Sequence, residues 1–149
     1  MHLFLYGTLR DPAANPVAAA LHRLLEPGTP AWVAGTLHAI PDPAGWYPAL
    51  LPGVGGGRVY GVACACTARF TPADLAWLDG YEDCRSDDPA GSEYRRGEMT
   101  AHLALSGQPV EATAYCYGQP LSADAVFLPG GDFAAWLTAT GQAPFTPAG

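Results

Sequence analysis

The chain has 149 residues, 49% of them hydrophobic and 14% charged, enough for one globular domain over residues 1–149 with a sizeable core. Its seven basic residues are all arginine, and fourteen acids bring the formal net charge to -7, so no basic stripe exists for nucleic acid. The 18 glycines and 15 prolines follow no fixed period, which excludes collagen and low-complexity linker. No stretch approaches the ~20 apolar residues of a membrane span. The start, MHLFLYGTLR, has neither the charge nor the apolar length of an export signal. Cys64, Cys66, Cys84 and Cys116 therefore read as reduced thiols of a cytoplasmic protein.

Residues 2–6 form an apolar and aromatic run stopped by Gly7, the pattern of a buried strand entering a loop that extends to about Asn15. After Pro16, the positions Val17, Ala20, Leu21, Leu24 and Leu25 recur at helical spacing until Pro27-Gly28. Strands are predicted over 32–40, 47–51 and 58–65, separated by a turn at 41–45 and a loop at 52–57. Thr71, Pro72 and Asp74 supply an N-cap, a first-turn proline and a capping-box acid for a helix running to about Tyr81. A polar segment, 83–91, precedes strands over 94–105 and 110–117 joined through Gly107-Gln108. A last helix fits 132–140 with Gly141 as its C-terminal cap, followed by an irregular tail. Short strands with three brief helices and no regular alternation predict an α+β fold, with a mostly antiparallel sheet curled into a barrel.

Gly7 permits a sharp exit from the first strand and leaves the amides of Thr8, Leu9 and Arg10 without ladder partners. They form either an anion-binding nest suited to a carboxylate or a plain strand-to-loop turn. Glu82 lies just past the predicted end of the second helix, with Asp79 on about the same face and Leu75, Trp77, Leu78 and Tyr81 as the apolar residues beside them. A carboxyl against such side chains holds its proton more tightly and suits acid/base work; in water it is an ordinary helix-end acid. At Glu93-Tyr94-Arg95-Arg96, one arginine either pairs with a pocket carboxylate or makes an edge-strand salt bridge. The glycine-rich PGVGGG lacks the ending of a P-loop. Cys64 and Cys66 share a strand face but have no second close pair of ligands, so no metal site is predicted.

Taken together, LFLYGTLR at 3–10, YPALLPG at 47–53, VYGV at 59–62, LDGYE at 78–82 and YRR at 94–96 resemble the gamma-glutamylcyclotransferase-like family, in its gamma-glutamylamine cyclotransferase branch. The resemblance covers about residues 2–118. It implies a small barrel-containing α+β fold with a cavity at the barrel mouth. It places the substrate loop on Tyr6, Gly7, Thr8 and Leu9, the catalytic acid/base on Glu82 and a pocket tyrosine on Tyr94. The implied reaction is intramolecular: the α-amine of a gamma-glutamyl group attacks the γ-carbonyl, releasing 5-oxoproline and an amine or amino acid, without metal or organic cofactor. The partner is thus a small-molecule gamma-glutamyl substrate.

Two departures from the family pattern stand out. The segment from Asp83 to Glu93 is long and acidic, and as a lid it would favour an amine-bearing or neutral leaving group over an anionic one. Gly80 before Glu82 would end the helix early and re-aim the carboxylate. A non-catalytic small-molecule-binding module on the same fold, and a hydrolase using Asp79 and Glu82 as a pair, are the competing readings.

Overall fold

The computed structural model describes residues 1–53 and 56–146; Val54 and Gly55 of the glycine-rich loop, and the last three residues of the tail, lie outside the described residues. Strand β1 (His2–Leu5) has Leu3 and Leu5 buried on one face and Phe4 on the other, as a strand covered on both sides requires. It pairs antiparallel with β4 (Arg58–Ala65) and, through Leu3 and Thr113, parallel with β6 (Pro109–Tyr117). Strand β4 pairs antiparallel with the first half of β2 (Thr29–Asp42), and that half pairs antiparallel with β5 (Tyr94–Leu103), the hairpin partner of β6. The circuit β1-β4-β2-β5-β6-β1 closes a five-stranded barrel, leaving only the β1–β6 pair parallel.

Strand β2 runs longer than predicted because it changes partners. Beyond Ala34 it leaves β4 and pairs with β3 (Gly45–Pro52) over Gly35 to Asp42, and a two-residue strand, β7 (Val126–Phe127), adds to this half at His38 and Ala39. At the crossover, a Cβ on Gly35 would stand 2.5 Å from the carbonyl oxygen of Leu51, so only glycine permits this approach.

Helix α1 (Pro16–His22) is capped by Asn15. Helix α2 (Pro72–Tyr81) carries the predicted capping box: Thr71 Oγ accepts from the Asp74 amide at 3.4 Å and Asp74 accepts from the Thr71 amide at 2.7 Å. Helix α3 (Phe133–Thr140) is capped by Asp132 and closed by Gly141 at φ 70°. Two apolar clusters result. One gathers Phe4, Tyr6 and Phe133 with alanines 31, 63, 101, 112 and 114 of the barrel strands, whose small side chains leave room for the rings. The other joins Leu3, Leu5 and Leu9 to Leu21 of α1 and Leu78 of α2, fixing both helices against β1. All four cysteines are free thiols, and no helix among the described residues is long and apolar enough to cross a membrane.

Candidate functional site

Tyr6, Gly7, Thr8, Leu9, Glu82 and Tyr94, separated by up to 88 positions in sequence, line a single cavity of about 390 Å³, within the usual range for small-molecule sites. Its loop wall is held from three directions. Leu9 is buried in the second cluster, its carbonyl oxygen lies 2.8 Å from Nε2 of His22, and Arg10 reaches Asp132 at the start of α3 at 3.2 Å. A Cβ on Gly7 would meet Cγ of Pro48 at 2.7 Å, so the glycine is needed for close approach to β3. Among the described residues, the amides of Gly7, Thr8 and Leu9 make no backbone hydrogen bond. The sequence expectation is corrected at Arg10, whose amide donates to the Gly7 carbonyl at 3.1 Å and closes the turn.

Glu82 is placed by the way α2 stops. The Asp83 amide donates to Gly80 O at 3.3 Å and the Cys84 amide to Asp79 O at 2.8 Å, a Schellman ending with Asp83 in the left-handed conformation at φ 51°. Gly80 does not shorten the helix: it sits within α2, and Glu82 is the C-cap residue. Burial is the first cause, and the charge of Glu93 the second, that push the Glu82 carboxyl from 4.5 up to about 8. The residue as a whole is only partly buried, so this carboxyl remains reachable through the cavity. Among the described residues no hydrogen bond holds it.

Tyrosines frame the acid. Tyr6 donates to the Tyr115 carbonyl, Tyr94 donates to the Pro48 carbonyl at 2.5 Å, and Tyr115 donates to Asp79 Oδ1 at 2.6 Å. Burial raises all three phenols above their ordinary value, so they stay neutral and serve as fixed walls. Asp79 does not line the cavity. Its carboxylate is engaged by Arg96 at 3.0 and 3.3 Å and by Tyr115, so it forms no working pair with Glu82.

The second acid of the cavity is Glu93, to which the sequence reading assigned no site role. Burial raises its carboxyl, opposed by a hydrogen bond from Tyr47. Asp42, at the turn from β2 to β3, and Phe145, from the tail, also line the cavity. Phe145 is carried there because the tail runs beside β3: the Phe145 amide donates to Trp46 O at 2.6 Å and the Trp46 amide to Ala143 O at 3.0 Å.

The acidic segment after Glu82 is a clasped loop, not a bare negative lid. The Glu93 amide donates to Asp83 O at 3.1 Å, and buried Ser92 accepts from the Arg85 amide at 2.8 Å while donating to Arg85 O or Asp88 O. Arg85 lies 3.3 Å from Asp83 and 3.7 Å from Asp88, offsetting part of the charge within the loop. Of the four acids from Asp83 to Glu93, only Glu93 lines the cavity.

The sequence model of the family described as gamma-glutamyl cyclotransferase, AIG2-like, matches residues 3–135, extending through β7 into α3 beyond the expected limit near 118. Among solved structures, a mouse AIG2-like protein is similar at 23% identity and TM-score 0.58 over 80% of this chain and 78% of that one. An Arabidopsis thaliana protein solved in solution has 19% identity and TM-score 0.61 over 94% and 82%. A Kluyveromyces lactis allophanate hydrolase reaches 13% identity and TM-score 0.58, over 93% of this chain but only 21% of that one. These likenesses show the α+β barrel fold; no curated protein sequence matches the chain.

Proposed function

Because the chain belongs to the AIG2-like gamma-glutamyl cyclotransferase family, we propose that it releases 5-oxoproline from a gamma-glutamyl compound, with Glu82 as the acid/base. The observation that carries this reading is one buried carboxyl, pushed up to about 8, sharing a cavity with the free amides of Gly7, Thr8 and Leu9.

Those amides suit the α-carboxylate of the glutamyl unit. Anchored there, the substrate folds back so that its α-nitrogen approaches its own γ-carbonyl carbon, a reaction made unimolecular by the tether. The α-ammonium entering beside Glu82 favours the ionised carboxyl, which takes a proton from it. The α-nitrogen then bonds to the γ-carbon, and the bond from that carbon to the leaving nitrogen breaks. Glu82 carries two protons in turn from the α-nitrogen to the leaving nitrogen, the first before attack and the second from the cationic α-nitrogen of the tetrahedral intermediate, so the products are the neutral lactam and the leaving ammonium, the carboxyl ends as it began and no water is consumed. Fixed neutral phenols around the reacting atoms keep the cavity at low polarity and strengthen each proton transfer.

The test is a mass-spectrometric product scan of wild type and Glu82→Gln on gamma-glutamyl amines, amino acids and peptides. Wild type is expected to release 5-oxoproline and the variant to lose at least ~10²-fold in rate. Free glutamate in place of 5-oxoproline, or an unchanged rate in the variant, overturns the reading.

A further inference from the structure

The walls of the cavity differ in depth and carry one sign of charge. Glu82 is deepest, Glu93 is half-buried, and Asp42 is exposed at the hairpin turn, with one of its carboxylate oxygens accepting from the Ala44 amide at 2.9 Å. No arginine or histidine lines this cavity among the described residues, so nothing there neutralises the three acids. Two aromatic side chains line its outer part: Tyr47 and Phe145 meet edge to face at 6.0 Å between ring centres.

A leaving amine must depart toward solvent. The glutamyl half is taken up by the loop amides and by Glu82, so the leaving half lies against Glu93, Asp42, Tyr47 and Phe145. We propose that Glu93 is a specificity-determining residue, and that the gamma-glutamyl substrate carries on its leaving amine a second, protonated amino group that Glu93 and the exposed Asp42 receive. The inference rests on the cyclotransferase reading and narrows it to gamma-glutamyl conjugates of diamines or other amine-rich compounds. An ammonium is the group that such a mouth stabilises twice, by charge from the carboxylates and by the faces of the two rings. A carboxylate on the leaving group meets the acids Glu93 and Asp42 and no cation, so amino-acid and peptide leaving groups are disfavoured.

Three substrates of equal length separate the possibilities: gamma-glutamyl conjugates of 1,5-diaminopentane, n-hexylamine and 5-aminopentanoic acid, which end in an ammonium, a methyl and a carboxylate. Wild type is expected to show kcat/KM in that order, the first exceeding the second by about 10-fold or more, as loss of a charged contact implies. Glu93→Gln should bring this ratio close to one, and Asp42→Asn should reduce it less. A wild-type ratio near one overturns the proposal. So does a ratio unchanged in Glu93→Gln, or an equal loss on all three compounds, which assigns Glu93 to the glutamyl half. If no compound yields 5-oxoproline, the reaction reading fails instead, and calorimetric titration of the same three compounds decides the specificity. Tighter binding of the ammonium-ended compound by wild type but not by Glu93→Gln upholds it, and equal affinities overturn it.

Discussion

Replacing Glu82 by glutamine should make the protein more resistant to unfolding as the pH rises, independently of any substrate. In the folded chain the Glu82 carboxyl holds its proton up to about 8, against 4.5 for an ordinary glutamate. The folded state therefore binds more protons than the unfolded one between these values, and wild type loses stability as pH climbs through that window. At about 1.4 kcal/mol per pH unit, the loss attributable to Glu82 is about 3 kcal/mol at pH 7 and at most about 5 kcal/mol above pH 8. At pH 4 the carboxyl is mostly neutral in both states, so the difference between Glu82→Gln and wild type there reports only the change of shape. Urea unfolding at pH 4, 5.5, 7 and 8.5 measures both proteins. With a slope of about 1–3 kcal/mol per molar urea, the variant's midpoint should gain about 1–3 M on wild type between pH 4 and 7. Glu93 titrates in both proteins, so its own contribution largely cancels. A difference that stays constant across the series would refute a buried, protonated Glu82.

Two further substitutions test the walls around it. Gly7→Ala drives a Cβ to 2.7 Å from Cγ of Pro48, which belongs to a buried strand and cannot swing aside. Steady-state kinetics should show KM for the glutamyl substrate raised about 10-fold or more, with about 1–3 kcal/mol lost in urea unfolding; wild-type values would show that the loop tolerates a side chain. Asp79→Asn gives up the ion pair with Arg96 while an amide oxygen still accepts from Tyr115, so urea unfolding should show a loss of at most about 1 kcal/mol in stability. 5-Oxoproline release should stay within a few-fold of wild type, and a 100-fold fall would make Asp79 a working acid after all.

The strand ending at Gly7 and the start of α2 were legible because their signals are local. A buried run cut by glycine, and a threonine followed three residues later by an acid, act over one turn of chain. Barrel closure was less legible, since it depends on Leu3 meeting Thr113 across 110 residues, and no local pattern encodes that register. Strand β7 escaped because two residues carry no periodicity; it exists by pairing with His38 and Ala39. Glu82 was found through its setting at a helix end. Glu93 was read only as part of a charged run, because whether the first residues of a strand face a cavity is decided by what the strand pairs with. Phe145 belongs to a tail whose place is set by hydrogen bonds to Trp46, nearly a hundred residues earlier.

The clasp between Asp83 and Glu93 separates the placement of the two cavity acids from everything between them. The hydrogen bond that joins their neighbourhoods closes the loop at its neck, Ser92 and Arg85 tie the interior together, and Gln119 anchors its far side through the Ala90 and Ser92 carbonyls. Chain can therefore be added between those bonded residues at little entropic cost, roughly 0.6 kcal/mol for each doubling of loop length. Exposed Ser86 and Asp87, which lie outside these bonds, are thus a permissive splice point, where a peptide tag, a reporter or a new rim for the cavity can be grafted while the carboxyls beneath keep their positions.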